Sequence, residues 1–252
     1  MTRALFSIRG LGKSYGDKQV LADLDFDVFA GECLVILGGS GSGKSVTLRQ
    51  LNGLERPSAG RVEFDGIEIS NLSEAQLFPI RRRIAMLFQS GALFDSMNVA
   101  DNIAFPLREH TDLDEAAIAE RVAERLARVR LAGIEERMPA DLSGGMRKRV
   151  ALARSLALDP EVVLFDEPTT GLDPRTSATI ASLIRSTQEE LGVTSVVVTH
   201  DLPLARTVGD RLAFLDHGRF RFIGTWEEAD QLDDPRVVDF LAGREEEDAD
   251  AA

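Results

Sequence analysis

Apolar and polar residues alternate through the first thirty positions, in "ALFSIRGL" and "QVLADLDFDVF". A two-residue period marks strands with one wet face, so residues 3–30 are expected to form edge strands of an antiparallel sheet. "CLVILGG" breaks the alternation with a continuous apolar run, which predicts a short, fully buried strand ending in a glycine loop. A helix is expected from Lys44 through Leu54, closed by the turn "ERPSAG". "RVEFDGIEI" reads as a hairpin around Asp65-Gly66.

From Asp114 to Ile134 the period lengthens. Ile118, Val122, Leu126 and Val129 recur at helical spacing among Arg and Glu, so this stretch predicts an amphipathic helix with one wet face. "EVVLFDEP", "TSVVVTHD" and "RLAFLD" are short apolar runs ending in polar residues, with helical patterns between them. Strands alternating with helices imply βαβ units. The expected fold class is therefore α/β, with a mostly parallel core sheet, an antiparallel β subdomain and a helical insertion at about 90–140. There is no internal repeat.

At 252 residues the chain suits one α/β domain, expected over 1–243. The end, 244–252, holds no hydrophobic residue larger than Ala and reads as an acidic, disordered tail. The formal charge of −13, from 29 basic and 42 acidic residues, argues against a nucleic-acid reader. The same balance repels anionic lipid headgroups, so a membrane role should run through a protein partner. The single cysteine, Cys33, sits in an apolar run as a core residue and allows no disulfide within the chain. No signal peptide and no run of membrane-spanning length occurs, which predicts a cytoplasmic protein.

"GGSGSGKS", Gly38 to Ser45, fits GxxxxGK[ST] between a buried strand and a helix. Glycines Gly38, Gly39, Gly41 and Gly43, with Ser40 and Ser42, let the backbone wrap phosphate oxygens. Their N–H groups converge on a helix N-terminus that favours negative charge. Lys44 is expected to bridge the β- and γ-phosphates of a nucleoside triphosphate and the Ser45 hydroxyl to ligate Mg²⁺, with Val46 following in the same site. Hydrolysis needs an acidic element at the end of another strand. "VVLFDE" supplies Asp166 for the metal and Glu167 to polarise the attacking water.

The P-loop, "LSGGM" (142–146), "VVLFDEP", "TTGLD" and "VVVTHD" follow one another in the order found in ATP-binding subunits of ABC transporters. The chain resembles that family, an ABC-type P-loop NTPase, along nearly its whole length. The resemblance implies that Tyr15 stacks on adenine and that Gln89 contacts Mg²⁺ or the water. It also implies that His200 hydrogen-bonds the γ-phosphate. Ser143, Gly144 and Gly145 would form a second anion-binding helix N-terminus that meets the nucleotide of a partner in a head-to-tail homodimer. Asp173 would cross that dimer interface. Met146 stands where the family usually has Gln, and the phosphate-facing groups are untouched by the exchange. His110 and His217 match no motif and are expected on the surface.

"LFQSGALFDSMNVADNIAFPLREH" (87–110) is unusually apolar and lies where the family receives a coupling helix from its membrane subunit. Phe88, Leu93, Phe94, Met97, Ile103 and Phe105 are divided between core and partner, with Phe94 and Met97 the leading candidates for the partner. This tract, with "LSGGMRKRVALARSLALDPEVVLFDEPTTGLDP" and "DDPRVVDFL", resembles ATPases of the Mla system (maintenance of lipid asymmetry) and its MCE-protein relatives. That resemblance implies a peripheral ATPase on the cytoplasmic face of the bacterial inner membrane. Its partners would be a transmembrane permease, an MCE-domain substrate-binding protein and a STAS-domain protein, with phospholipid as cargo. An ABC ATPase for another cargo, or one of the soluble iron–sulfur assembly type, is the alternative. The apolar patch Val237, Val238, Phe240 and Leu241 fits either its own domain or a partner.

Overall fold

The computed structural model describes residues 3–244. The chain opens with β1 (Ala4–Tyr15), β2 (Lys18–Phe29) and β3 (Cys33–Leu37), then α1 (Lys44–Leu51), the hairpin β4 (Ala59–Phe64) and β5 (Ile67–Glu68), α2 (Glu74–Arg81) and β6 (Ile84–Leu87). A helical stretch follows, with α3 (Val99–His110), α4 (Glu115–Arg128) and α5 (Gly144–Ser155). The rest alternates β7 (Val162–Asp166), α6 (Pro174–Leu191), β8 (Thr194–Thr199), α7 (Leu202–Val208) and β9 (Arg211–Asp216). It closes with β10 (Arg219–Gly224), α8 (Trp226–Ala229) and α9 (Pro235–Leu241).

Two sheets result. The antiparallel one has four strands in the order β2-β1-β4-β5, and its hairpin turns where Asp65 (φ 53°) and Gly66 (φ 78°) both adopt left-handed backbone. The other has six strands, β10-β9-β3-β8-β7-β6, parallel except for the edge pair β10–β9. β3 is central and buried at all five positions. Cys33, Val35 and Leu37 face a core shared with the helices, while Leu34 and Ile36 face a core shared with the antiparallel sheet. A strand with two buried faces needs the continuous apolar run that the sequence displays. The P-loop and Glu167 thereby come to the C-terminal ends of β3 and β7, parallel strands on either side of β8, where such sheets hold ligands.

Three elements differ from the sequence-based expectation. β2 is an edge strand, but β1 is not, because it pairs with β2 on one side and β4 on the other. α1 stops at Leu51 rather than Leu54, because Gly53 turns left-handed (φ 68°) one residue after the cap Asn52. α4 stops at Arg128 rather than Ile134. Val129 stays fully buried, but Arg130 takes φ 58° and the chain turns away. The C-terminal patch, which fitted either its own domain or a partner, packs on its own domain. Val237 is buried, Phe240 stacks on Phe214 with centroids 4.9 Å apart, and Arg236 Nη1 donates to Asp216 Oδ2 at 3.0 Å. The expected acidic tail, apart from Arg244, lies outside the described residues.

Candidate active site

The strand-to-helix turn after β3 is packed too tightly for side chains. A Cβ on Gly38 would sit 2.3 Å from the Leu215 carbonyl oxygen of β9, so only glycine lets the loop leave the sheet there. Lys44, the first residue of α1, folds back and donates to the carbonyls of Gly38 and Gly39, both at 2.8 Å. Its Nζ also lies 3.5 Å from Glu167 Oε1. Burial of the ammonium pushes the Lys44 pKa down from the ordinary lysine value, and the nearby Glu167 and Asp166 carboxylates oppose that shift.

Glu167 follows β7 with left-handed backbone, φ 47°, an unfavourable conformation for a glutamate that persists where surrounding structure fixes it. Its N–H donates to the Val198 carbonyl of β8 at 3.0 Å. Its carboxylate accepts from the Thr170 hydroxyl at 3.2 Å and the Thr199 hydroxyl at 3.4 Å, and His200 Nδ1 lies 3.0 Å from Oε2. Next to it, Asp166 accepts a 2.7 Å bond from the Ser45 hydroxyl. A serine hydroxyl and a carboxylate in contact form the hard-oxygen pair that Mg²⁺ takes together with phosphate oxygens and water, so the residues fit that ion.

These groups line one cavity of about 990 Å³, at the upper end of the size that encloses a small-molecule ligand. Gly39, Ser40, Gly41, Gly43, Lys44, Ser45, Val46, Gln89, Glu167 and His200 all line it. Gly38 and Ser42 are buried in the same loop, and Asp166 reaches it through Ser45. Tyr15 is not in the lining. Its ring is half exposed, its hydroxyl bonds Glu55, and Lys13 Nζ stands 5.1 Å from the ring centroid.

Ser143, Gly144, Gly145 and Asp173 also lie outside this cavity. Ser143 caps α5 by accepting from the Met146 N–H at 3.3 Å, so the serine does at the helix start what its motif predicts. A Cβ on Gly145 would fall 2.3 Å from Thr176 Cγ2, and the Thr176 hydroxyl donates to Asp173 at 2.5 Å. The signature glycines and the Asp173 loop are thus one packed unit, apart from the P-loop of the same chain.

A scan against protein families matches the ABC transporter family over residues 21–170. The chain belongs to the ABC transporter ATP-binding family. This ABC ATPase is 42% identical to the intermembrane phospholipid transport ATP-binding protein MlaF of Haemophilus influenzae, over 96% of this chain and 92% of that protein. Identity to MlaF of Escherichia coli K12 is 40%, over 95% and 89%. A probable ribonucleotide transport ATP-binding protein of Mycobacterium leprae is 45% identical over 94% of this chain, which spans 68% of that longer protein. Among solved structures, a dimeric post-hydrolysis state of the cassette MJ0796 bound to ADP and Pi superimposes with a TM-score of 0.81. Its identity is 33%, covering 87% of this chain and 98% of that one. The cassette cbiO1 of Clostridium perfringens gives a TM-score of 0.82 at 32% identity, over 89% and 90%. The chain is thus an ABC-type ATPase, and no helix among its described residues is long and apolar enough to cross a membrane.

Sequence reasoning missed several lining residues of this ABC ATPase: Lys18, Gln19 and Val20 at the start of β2, Thr170, and His217 with Gly218 in the β9–β10 turn. His217 is exposed, as expected, but over the cavity. His110 is only half-buried, its ring edge-on to Phe78. The missing signal was adjacency of β9 to β3, which carries the β9–β10 turn to the P-loop.

Proposed function

We propose that this ABC ATPase drives phospholipid movement between bacterial membranes as the ATP-hydrolysing subunit of an Mla-type transporter. One observation supports the cargo: identity of 40–42% to MlaF proteins runs over about nine-tenths of both chains. The mycobacterial relatives favour a second reading, ribonucleotide transport, at 45% identity, but the chain covers only 66–68% of their length.

In the proposed cycle, the triphosphate lies along the P-loop with Lys44 between its β- and γ-phosphates and Tyr15 turned to the adenine. Ser45, Asp166 and Gln89 would hold Mg²⁺, which would supply positive charge beside the phosphate oxygens. As the γ-phosphate draws Lys44 and His200 toward itself, it releases Glu167 to accept a proton from water. The water oxygen bonds to the γ-phosphorus while the bond to the β–γ bridging oxygen breaks, giving ADP and phosphate. Ser143, Gly144 and Gly145 act in trans on the partner's nucleotide in a homodimer, with Asp173 at the interface. The separation of these residues from the P-loop in one chain supports that arrangement.

The remaining partners are a permease, an MCE-domain protein and a STAS-domain protein, with the ATPase held at the cytoplasmic face of the inner membrane. Phe88, Phe94 and Phe105, each more than a third exposed, support docking to the permease, and Phe94 stacks on Phe105 at 5.0 Å. Phe105 joins Phe94 and Met97 as a candidate for that role. α3 turns Ile103 and Leu107 inward, which leaves Phe105 outside, while Met97 is half-buried. The test is to purify the tagged chain from its native membrane in mild detergent and identify what accompanies it by mass spectrometry. A permease, an MCE-domain protein and phospholipid are expected; nucleotide cargo with a polar-solute binding protein would overturn the lipid reading.

A further inference from the structure

Lys148 lies on α5, one turn past the signature glycines, and belongs to none of the sites described above. It is only 7% exposed. Its Nζ donates to the Gln89 carbonyl and, at 3.3 Å, to the Glu167 carbonyl. One ammonium thus joins three segments: the signature helix, the Gln89 loop and the end of β7. Desolvation pushes its pKa below the ordinary lysine value, and the Asp166 and Glu167 carboxylates favour the charged form.

The Glu167 bond matters because that residue is held in left-handed backbone. Its N–H is fixed by Val198 of β8, and its carbonyl takes a local bond from the Thr170 N–H at 3.3 Å as well as the bond from Lys148. Lys148 is the holder that comes from the helical side. A second cation of α5, Arg154, donates to the Gly91 and Ala92 carbonyls at 3.1 and 2.8 Å. The Gln89–Ala92 backbone is therefore bound to α5 at both ends, and Lys148 is the point at which this unit reaches the carboxylate-bearing strand.

We propose that Lys148 is a positioning residue that ties the Gln89 loop and the signature helix to the Glu167 backbone, so that a shift of the helical region re-aims the Glu167 carboxylate. The inference rests on Glu167 acting as the base. Displacing a reacting group by a fraction of an ångström to an ångström costs rate rather than affinity, so the loss should appear in kcat.

The test compares the tagged full-length protein, purified from its native membrane, with Lys148→Met, Lys148→Arg, Glu167→Gln and the Lys148→Met/Glu167→Gln double variant. Lys148→Met should lower kcat about 10- to 100-fold and leave equilibrium ATP affinity, measured in EDTA, within about threefold. Lys148→Arg keeps the charge and several donors and should recover most of the rate. On the Glu167→Gln background, Lys148→Met should cost nothing further, because the two act through one group. If Lys148→Met fails to fold, Lys148→Gln, which keeps a donor without the charge, takes its place. Parental kcat in the neutral variant overturns the proposal, as does an equal loss of kcat, ATP affinity and thermal stability. Parental kcat in Glu167→Gln instead overturns the base assignment, which separates the two failures.

Discussion

Lys44 Nζ and Glu167 Oε1 stand 3.5 Å apart in the wall of one cavity, so the cation suited to phosphate and the carboxylate suited to water hold each other. His200 Nδ1 completes the set from the other carboxylate oxygen at 3.0 Å. In the proposed cycle, an entering γ-phosphate competes with the carboxylate for Lys44 and His200, and the carboxylate becomes available as the phosphate binds. On the proposed reading, this pairing would link substrate arrival to base activation.

Glu167→Gln removes the proposed base but keeps the shape of the side chain. Hydrolysis should fall by about 10²- to 10⁴-fold, the usual range for a general base. ATP affinity should hold or rise, since a neutral amide no longer competes for Lys44. Phosphate release and equilibrium nucleotide binding, measured side by side, decide this. A parental turnover rate would take Glu167 out of the chemistry.

Lys44→Ala deletes the charge-assisted contact to phosphate. A loss of roughly 1.5–3 kcal/mol, about 10- to 150-fold in ATP affinity, is expected. Titration calorimetry with ATP reads it directly, and unchanged affinity would sink the assignment.

Gly38→Ala drives a Cβ to within 2.3 Å of the Leu215 carbonyl, a backbone atom that cannot turn aside. Overpacking of this kind costs about 1–3 kcal/mol, or roughly 2–12 °C in melting temperature for a chain of this size. Gly39→Ala meets nothing within 4 Å and should melt within about 2 °C of the parent. Thermal unfolding of the two variants tests whether close approach, rather than glycine content, shapes the loop.

Asp210 staples the P-loop strand to α6: it accepts from the Cys33 N–H at 2.8 Å, from Gln188 at 2.8 Å and from Arg185 Nη1 at 2.8 Å. Burial alone would raise its pKa, but these donors outweigh it and hold the carboxyl below its ordinary value. A carboxylate with a depressed folded pKa stabilises the fold above the unfolded pKa of about 3.9, and that contribution fades as pH falls through the lower folded value. Asp210→Asn should therefore cost on the order of 1 kcal/mol at pH 7 and progressively less below about pH 4. Urea midpoints of parent and variant across pH 3–7 should converge at the acid end.

Phe94→Ser combined with Phe105→Ser removes two exposed rings without opening the core. ATP binding and melting temperature should stay near parental values, while the yield of co-purified membrane protein should drop several-fold. A parental yield would place the docking surface elsewhere.

Much of this protein was legible from pattern alone. The strands over 3–30, the apolar run "CLVIL" and the glycine loop after it each appeared where expected, although β1 lies inside its sheet rather than at an edge, because each is set by local backbone chemistry or by burial of a whole strand. Ser45 beside Asp166, and Glu167 beside Lys44 and His200, were readable as roles from their motifs. Helix ends were less legible. α1 and α4 each stop earlier than their apolar period, since a single left-handed residue, Gly53 or Arg130, outweighs periodicity.

What the sequence by itself determined was the set of chemical groups and their attachment to particular strands and helices. The P-loop glycines, the acidic pair at the end of β7 and the cap of α5 depend on neighbours close in the chain. Only the tertiary structure decided which distant groups share a wall. His217 and Lys18 reach the cavity because β9 pairs with β3 and the β9–β10 turn packs on β2; the Ala22 N–H donates to the Gly218 carbonyl at 2.8 Å. Lys148 meets Glu167 because α5 lies across the sheet, nineteen residues before it in sequence. The physical reason is the same in both cases: strand pairing and helix packing are long-range interactions, and a one-dimensional period carries no record of which faces will meet.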